Sequence, residues 1–100
     1  MSRYVLDYEN VTEDNSNKYV RGRRIKVHNQ GTTVAWVNRE ILLPDDQLLI
    51  EAPGDGHFIL RLQINFLAAY PFQNAIAIYP QLYSGNRINI VEMKKEGADV

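Results

Sequence analysis

Between His57 and Leu67 the apolar residues fall on every second position. Phe58, Leu60, Leu62, Ile64 and Phe66 line one side, while Arg61, Gln63 and Asn65 line the other. Side chains repeat every two residues along a strand and every 3.6 around a helix, so a helix would scatter these apolar groups over its whole surface. The run is a strand with one face in a core. At a rise of about 3.3 Å per residue it would reach roughly 33 Å, about twice the usual strand length. Such a strand either bends at a bulge and serves two sheets, or runs past its own domain toward a neighbour.

Shorter strands fill the rest of the chain. Arg24-Ile25-Lys26-Val27-His28 alternates polar with apolar, and Thr32 to Asn38 is rich in β-branched and aromatic residues. Asn29-Gln30-Gly31 between them is a turn signal, so the two segments read as a hairpin. Trp36, between Ala35 and Val37, is expected in the core. Ile41-Leu42-Leu43 meets the turn-forming Pro44-Asp45-Asp46, and Leu48 to Ala52 is a strand ended by Pro53-Gly54-Asp55-Gly56. Asn74 to Tyr83 supplies one more strand or two short ones, which Pro80 confines to an edge or a bulge. A last strand, Arg87 to Lys94, follows the turn Ser84-Gly85-Asn86. Near the start, Tyr4, Leu6 and Tyr8 alternate with Val5 and Asp7 in a short strand, and Asn10 and Asp14 to Asn17 read as loop.

The expected fold is all-β, an antiparallel β-sandwich or jelly-roll-like barrel of about six to eight short strands. Residues 1–22 are expected as a polar N-terminal arm or edge strand, 23–95 as the sandwich, and 96–100 as a C-terminal tail. A chain of 100 residues has room for one core only. Its net charge of −1 argues against bulk affinity for nucleic acid. With no cysteine, disulfides, thiolate catalysis and sulfur-ligated zinc are excluded. The N-terminus lacks the apolar stretch of a signal peptide and no apolar run is long enough to span a membrane, so synthesis in the cytoplasm is expected.

Few residues suggest reaction chemistry. Asp45 and Asp46 share one turn, Asp55 and His57 another, and a strand between them would hold the turns roughly 20–30 Å apart. That spacing disfavours a shared metal site, and neither turn has the alternating oxygen ligands of a calcium loop. Neither His28 nor His57 lies near a nucleophile-elbow pattern. No catalytic residue and no cofactor is expected. Arg21-Gly22-Arg23-Arg24-Ile25-Lys26 is the one basic cluster, with Arg24 and Lys26 on one strand face. It could grip phosphates but lacks interleaved aromatics. Pairing with acidic groups, on the 7–14 segment or on a neighbouring subunit, is the preferred reading.

From Leu62 to Asn86 no residue is charged, although 23% of the chain is, and five of the aromatics fall there. Aromatic enrichment with charge depletion is the composition of a protein interface. The candidate contact residues are Tyr70, Phe72, Tyr79 and Tyr83, with Arg21, Arg23 and Arg24 setting register by charge pairing. They suit a subunit of an assembly, itself homo-oligomeric. A carbohydrate-binding or adhesion module, stacking sugars on Tyr70, Tyr79 and Tyr83, is the alternative; a small nucleic-acid-binding barrel ranks third.

The run Val27 to Asn38, followed by Ile41-Leu42-Leu43-Pro44 and then Gly54-Asp55-Gly56, resembles small β-rich proteins encoded among bacteriophage structural genes. The shared pattern is an Asn-x-Gly-Thr-Thr hairpin, an x-Val-Asn strand end, a Leu-x-Pro-Gly turn and a later glycine turn. Here Asp45 stands where the pattern has glycine, so a different turn geometry is expected. The resemblance covers about residues 25–66. It implies a virion component, such as a minor capsid, penton, decoration or spike-base protein, whose partners are other capsid subunits and whose location is the virion. It implies no catalytic residues.

Overall fold

The computed structural model describes residues 4–54, 56–69 and 81–95. These form eight strands: β1 Tyr4–Val11, β2 Asn15–Gly22, β3 Arg24–Asn29, β4 Thr33–Val37, β5 Glu40–Leu42, β6 Gln47–Glu51, β7 Phe58–Ala69 and β8 Ile88–Lys95. They make two four-stranded sheets, ordered β1-β8-β3-β6 (sheet I) and β2-β7-β4-β5 (sheet II), with every pairing antiparallel.

The pairing runs from the ends inward: β1 with β8, β2 with β7, β3 with β6, β4 with β5. The chain is thus one long antiparallel ribbon, doubled back at the β4–β5 hairpin and rolled so that successive ribbon segments alternate between sheets. This is the jelly-roll winding. The all-β sandwich read from period-two alternation is the fold. Residues 4–22 supply one edge strand to each sheet, so this segment is part of the sandwich. The proposed tail at 96–100 lies outside the described residues, as does the strand placed at Asn74 to Tyr83 except for its last three residues, Gln81 to Tyr83, which form a turn with one isolated bridge from Tyr83 to Gly31.

The core forms where the two inner faces meet. Sheet I contributes Val11, Ile25, Val27, Ile88 and Ile90; sheet II contributes Val20, Ala35, Val37, Leu42, Leu62 and Ile64. Each fully buried Leu, Ile or Val contributes about 1.5–3 kcal/mol relative to exposure. The alternation in β7 holds: Leu62 and Ile64 are completely buried, while Arg61 and Gln63 face water. Its 12 residues serve two partners in one sheet, β2 up to Ile64 and β4 from there on. The ladder slips on both sides, between Asn15 and Lys18 and between Val34 and Ala35. There the Asp14 carboxylate accepts a hydrogen bond from the Phe66 nitrogen (2.8 Å). The bulge expected from its length exists, but β7 stays within sheet II.

The hairpin expected between β3 and β4 is absent: the two strands belong to opposite sheets. Asn29-Gly31 makes a corner instead, built around the fully buried Asn29 side chain. Its amide donates to the carbonyls of Thr33 (2.8 Å) and Leu42 (2.9 Å), and its Oδ1 accepts from the Gly31 nitrogen (3.2 Å). A buried amide with all these bonds made fixes one geometry, because any other leaves polar atoms unpaired. Gly31 itself bridges to Tyr83.

The Pro44 turn keeps the geometry that glycine would give. Asp46 N donates to Leu43 O (2.9 Å), Pro44 occupies the second position, and Asp45 at the third has φ 73°. Those are the marks of a type II turn, which demands positive φ at its third residue. Asp45 takes the position with its carboxylate 2.9 Å from His28 Nε2. The expected difference in turn geometry is therefore not found.

Candidate interaction surfaces

Rows of residues cross sheet I on its outer face. One runs Leu6, Met93, Arg24, Glu51; the next Tyr8, Val91, Lys26, Leu49; the next Asn10, Asn89, His28, Gln47. The first two rows put Leu6, Tyr8, Val91, Met93 and Leu49 together over a shallow depression of about 370 Å³, with Arg24 and Lys26 along it. Leu6, Tyr8 and Leu49 are all strongly exposed. Arg24 Nε is 3.1 Å from its cross-strand neighbour Glu51, so this guanidinium pairs within its own sheet. The third row is polar, and Asn89 donates to Asn10 Oδ1 (3.1 Å).

The outer face of sheet II carries the second apolar group. Trp36 is 43% exposed, cross-strand from Ile41 on one side and Asn65 on the other. Its expected place in the core is corrected here. Ala35 and Val37 pair with Phe66 and Ile64 on the inner face of β7, which turns the residue between them outward. Along the same outward face of β7 run Ile59, Arg61, Gln63, Asn65 and Leu67, and Tyr19 lies across from Arg61. The sheet ends at a two-residue loop after β4. Asn38, at φ 57°, donates its N–H to Gln63 O and accepts from Gln63 N, both at 2.9 Å. Positive φ at the start of such a loop suits asparagine.

The three arginines of the basic cluster do not form one patch. The chain crosses between sheets at Gly22 and Arg23, so Arg21 belongs to sheet II and Arg24 to the outer face of sheet I. Arg23 is fastened at the crossing: its nitrogen donates to Met93 O (2.8 Å), its carbonyl accepts from Ala52 N (2.8 Å), and its guanidinium donates to Gly54 O. Arg21 N donates to Glu92 Oε2 (2.8 Å). Arg24 and Lys26 do share a face, as strand parity requires. The 7–14 segment is paired with lysines: Glu9 with Lys18, and Asp7 with Lys94 (2.8 Å). Glu9, Lys18, Glu92 and Lys94 line one polar depression between β1, β2 and β8.

Tyr83 is exposed at the other end of the molecule, beside the Asn29-Gly31 corner. The Arg87 guanidinium lies 3.8 Å over the Tyr83 ring, a cation–π contact, and the backbone nitrogen of Tyr83 donates to Gln30 O (2.8 Å). Tyr70, Phe72 and Tyr79 lie outside the described residues. Sequence reasoning passed over the Trp36–Ile41 pair and the Leu6–Tyr8 face. The signal for the second is the Tyr4, Leu6, Tyr8 alternation, which suggests the edge strand that β1 forms but not the neighbours it packs beside.

Asp45 and His28 meet at one end of β6, while Asp46 Oδ2 accepts from Leu43 N (2.9 Å) within its own turn. His57 lies beyond the other end of β6, and Asp55 is outside the described residues. Among the described residues no helix is long and apolar enough to cross a membrane.

Winding and surfaces together define a jelly-roll sandwich, eight-stranded among the described residues, with apolar residues on both outer faces. No protein-family model matches the chain, and neither does any curated protein or solved structure.

Proposed function

We propose that this protein is a non-enzymatic structural subunit of a virus particle, of the kind bacteriophages build into a capsid, a decoration layer or a spike base. It acts by burying its surfaces against other subunits. The observation that carries this reading is a jelly-roll winding with apolar side chains on both outer faces. Double-sheet jelly rolls recur in capsid domains, though also in lectins and cupins, so the surfaces must choose among them. Clustered exposed apolar residues mark protein contact. Leu6, Tyr8 and Leu49 on one face, and Trp36, Ile41 and Leu67 on the other, supply two such faces. The resemblance over residues 25–66 points the same way.

The test is mass spectrometry of particles purified from cells that carry the gene. The chain should appear in them at a fixed ratio to the shell protein. Abundance in the lysate with absence from the particles would sink the reading.

One observation favours the carbohydrate-binding alternative: Trp36 and Tyr19 are both displayed on sheet II, with Arg61, Gln63 and Asn65 between them as hydrogen-bonding groups. Glycan-array binding by the isolated chain, abolished in Trp36→Ala, would place that reading first.

A further inference from the structure

A two-sheet sandwich has four edge strands, and each offers unpaired backbone groups to any passing strand. Three of these edges are guarded. β5 is only 3 residues long, and β6 has 5 residues bracketed by Pro44 and Pro53. β2 is interrupted between Asn15 and Lys18 and carries Lys18 and Arg21. Short length, proline, bulges and basic residues are the usual protections against edge pairing.

β1 is neither short nor bulged, and its two charged residues, Asp7 and Glu9, are taken up in pairs with Lys94 and Lys18. Its 8 residues hold an unbroken register with β8, and its sequence contains no proline, glycine, lysine or arginine. Tyr4, Val5, Leu6 and Tyr8 are all exposed, Tyr8 at 67%. Among the described residues nothing pairs with its free side.

We infer that β1 is a strand-pairing edge whose partner is β1 of a second copy of this chain, antiparallel across a two-fold axis at Leu6. The charges argue for a like partner. Asp7 and Glu9 are already paired with Lys94 and Lys18, so no uncompensated charge on this edge calls for a basic segment. What remains on the outer side of residues 4–8, Tyr4, Leu6 and Tyr8, is apolar and self-complementary. With Leu6 opposite Leu6, Tyr4 faces Tyr8 of the other copy on the outer side, and Val5 faces Asp7 on the inner side. Aromatic cross-strand pairs stabilise a sheet, and like charges placed opposite each other do the reverse. An axis moved one residue pair along, to Asp7, would oppose the two Asp7 carboxylates. The Leu6 register also joins the Leu6–Met93–Arg24 rows of both copies into one apolar band over an eight-stranded sheet. This pairing is independent of residence in a particle.

The chain has no cysteine, so position-specific thiols read the register directly. In the Leu6 register two copies of residue 6 lie on the axis, whereas two copies of residue 10 are about 27 Å apart. The purified full chain should sediment as a dimer. Leu6→Cys should link to itself with a short bismaleimide, and Asn10→Cys should not. Leu6→Lys should sediment as a monomer with an unchanged far-ultraviolet circular dichroism spectrum. A wild-type chain that stays monomeric at submillimolar concentration overturns the inference. So does equal linking of the two thiol variants, or a folded Leu6→Lys that remains a dimer.

Discussion

Gly31 lies so close to Gly85 that a methyl group on it would stand 2.1 Å from the Gly85 carbonyl oxygen and 2.7 Å from the Arg87 nitrogen. Both obstacles are backbone, and both strands of chain are tied together: Gln30 N and Gly31 N donate to Arg87 O, and Thr32 N donates to Gly85 O. Neither can swing aside as a flexible side chain would. Gly31→Ala should therefore cost about 3 kcal/mol, at the upper end of overpacking, read from the urea midpoint. Gly54→Ala meets no atom within 4 Å and carries only its φ of 63°, for about 1 kcal/mol. Equal losses at the two sites would show that close approach is not what requires glycine at 31.

Asn29→Asp is the sharper test of the corner. It exchanges two N–H donors for a carboxylate oxygen facing the Thr33 and Leu42 carbonyls, in a site with no access to water. The loss should be about 3 kcal/mol or more, since a buried charge and two orphaned acceptors are created at once. Equilibrium unfolding of the variant checks it, and a nearly unchanged midpoint would mean that the amide does not hold the corner.

At Asp45 the question is whether the turn or the His28 contact sets the residue. The backbone sits at φ 73°, which glycine and asparagine accept and β-branched residues resist. Asp45→Gly and Asp45→Asn should stay within about 1 kcal/mol of the parent, while Asp45→Val should lose about 2 kcal/mol. If Asp45→Asn proves as harmful as Asp45→Val, the imidazole contact governs.

Trp36 offers a direct check on which side of sheet II it occupies. Trp36→Gln should shift thermal stability by no more than about 1 kcal/mol, the scale of a cross-strand pair on an exposed face. Leu62→Ala, in the fully buried row, should cost about 3 kcal/mol. Comparable losses from both would put the indole back inside.

Some of this was written plainly in the residues. Phe58 to Phe66 and Ile25 to Val27 alternate cleanly because one side of each strand meets a core and the other meets water, and that contrast is what period two records. Trp36 was misplaced because Val34, Ala35, Trp36 and Val37 are all apolar, so alternation cannot choose a parity. Register against Ile64 and Phe66 chooses it. β2 was read in part as loop because only Val20 and Gly22 of its eight residues are buried, too few to show a pattern. The Asn29-Gln30-Gly31 turn was taken for a hairpin because the same residue types serve a hairpin and a sheet-to-sheet corner. What separates the two is a set of bonds to Leu42 and Arg87, far along the chain. The candidate surfaces were the least legible, since they depend on which strands become neighbours.

The end-inward pairing of strands also sets an order of events during synthesis. β8 lies inside sheet I, between β1 and β3, yet it is the last of the described strands to be made. Until it leaves the ribosome, β1 has no partner in its own molecule, and Ile25 and Val27 lack the strand that carries Ile88 and Ile90. Sheet II can assemble earlier, as soon as β7 emerges. For the time needed to translate residues 70–95, each nascent chain therefore holds out an unpaired Tyr-Val-Leu-Asp-Tyr strand.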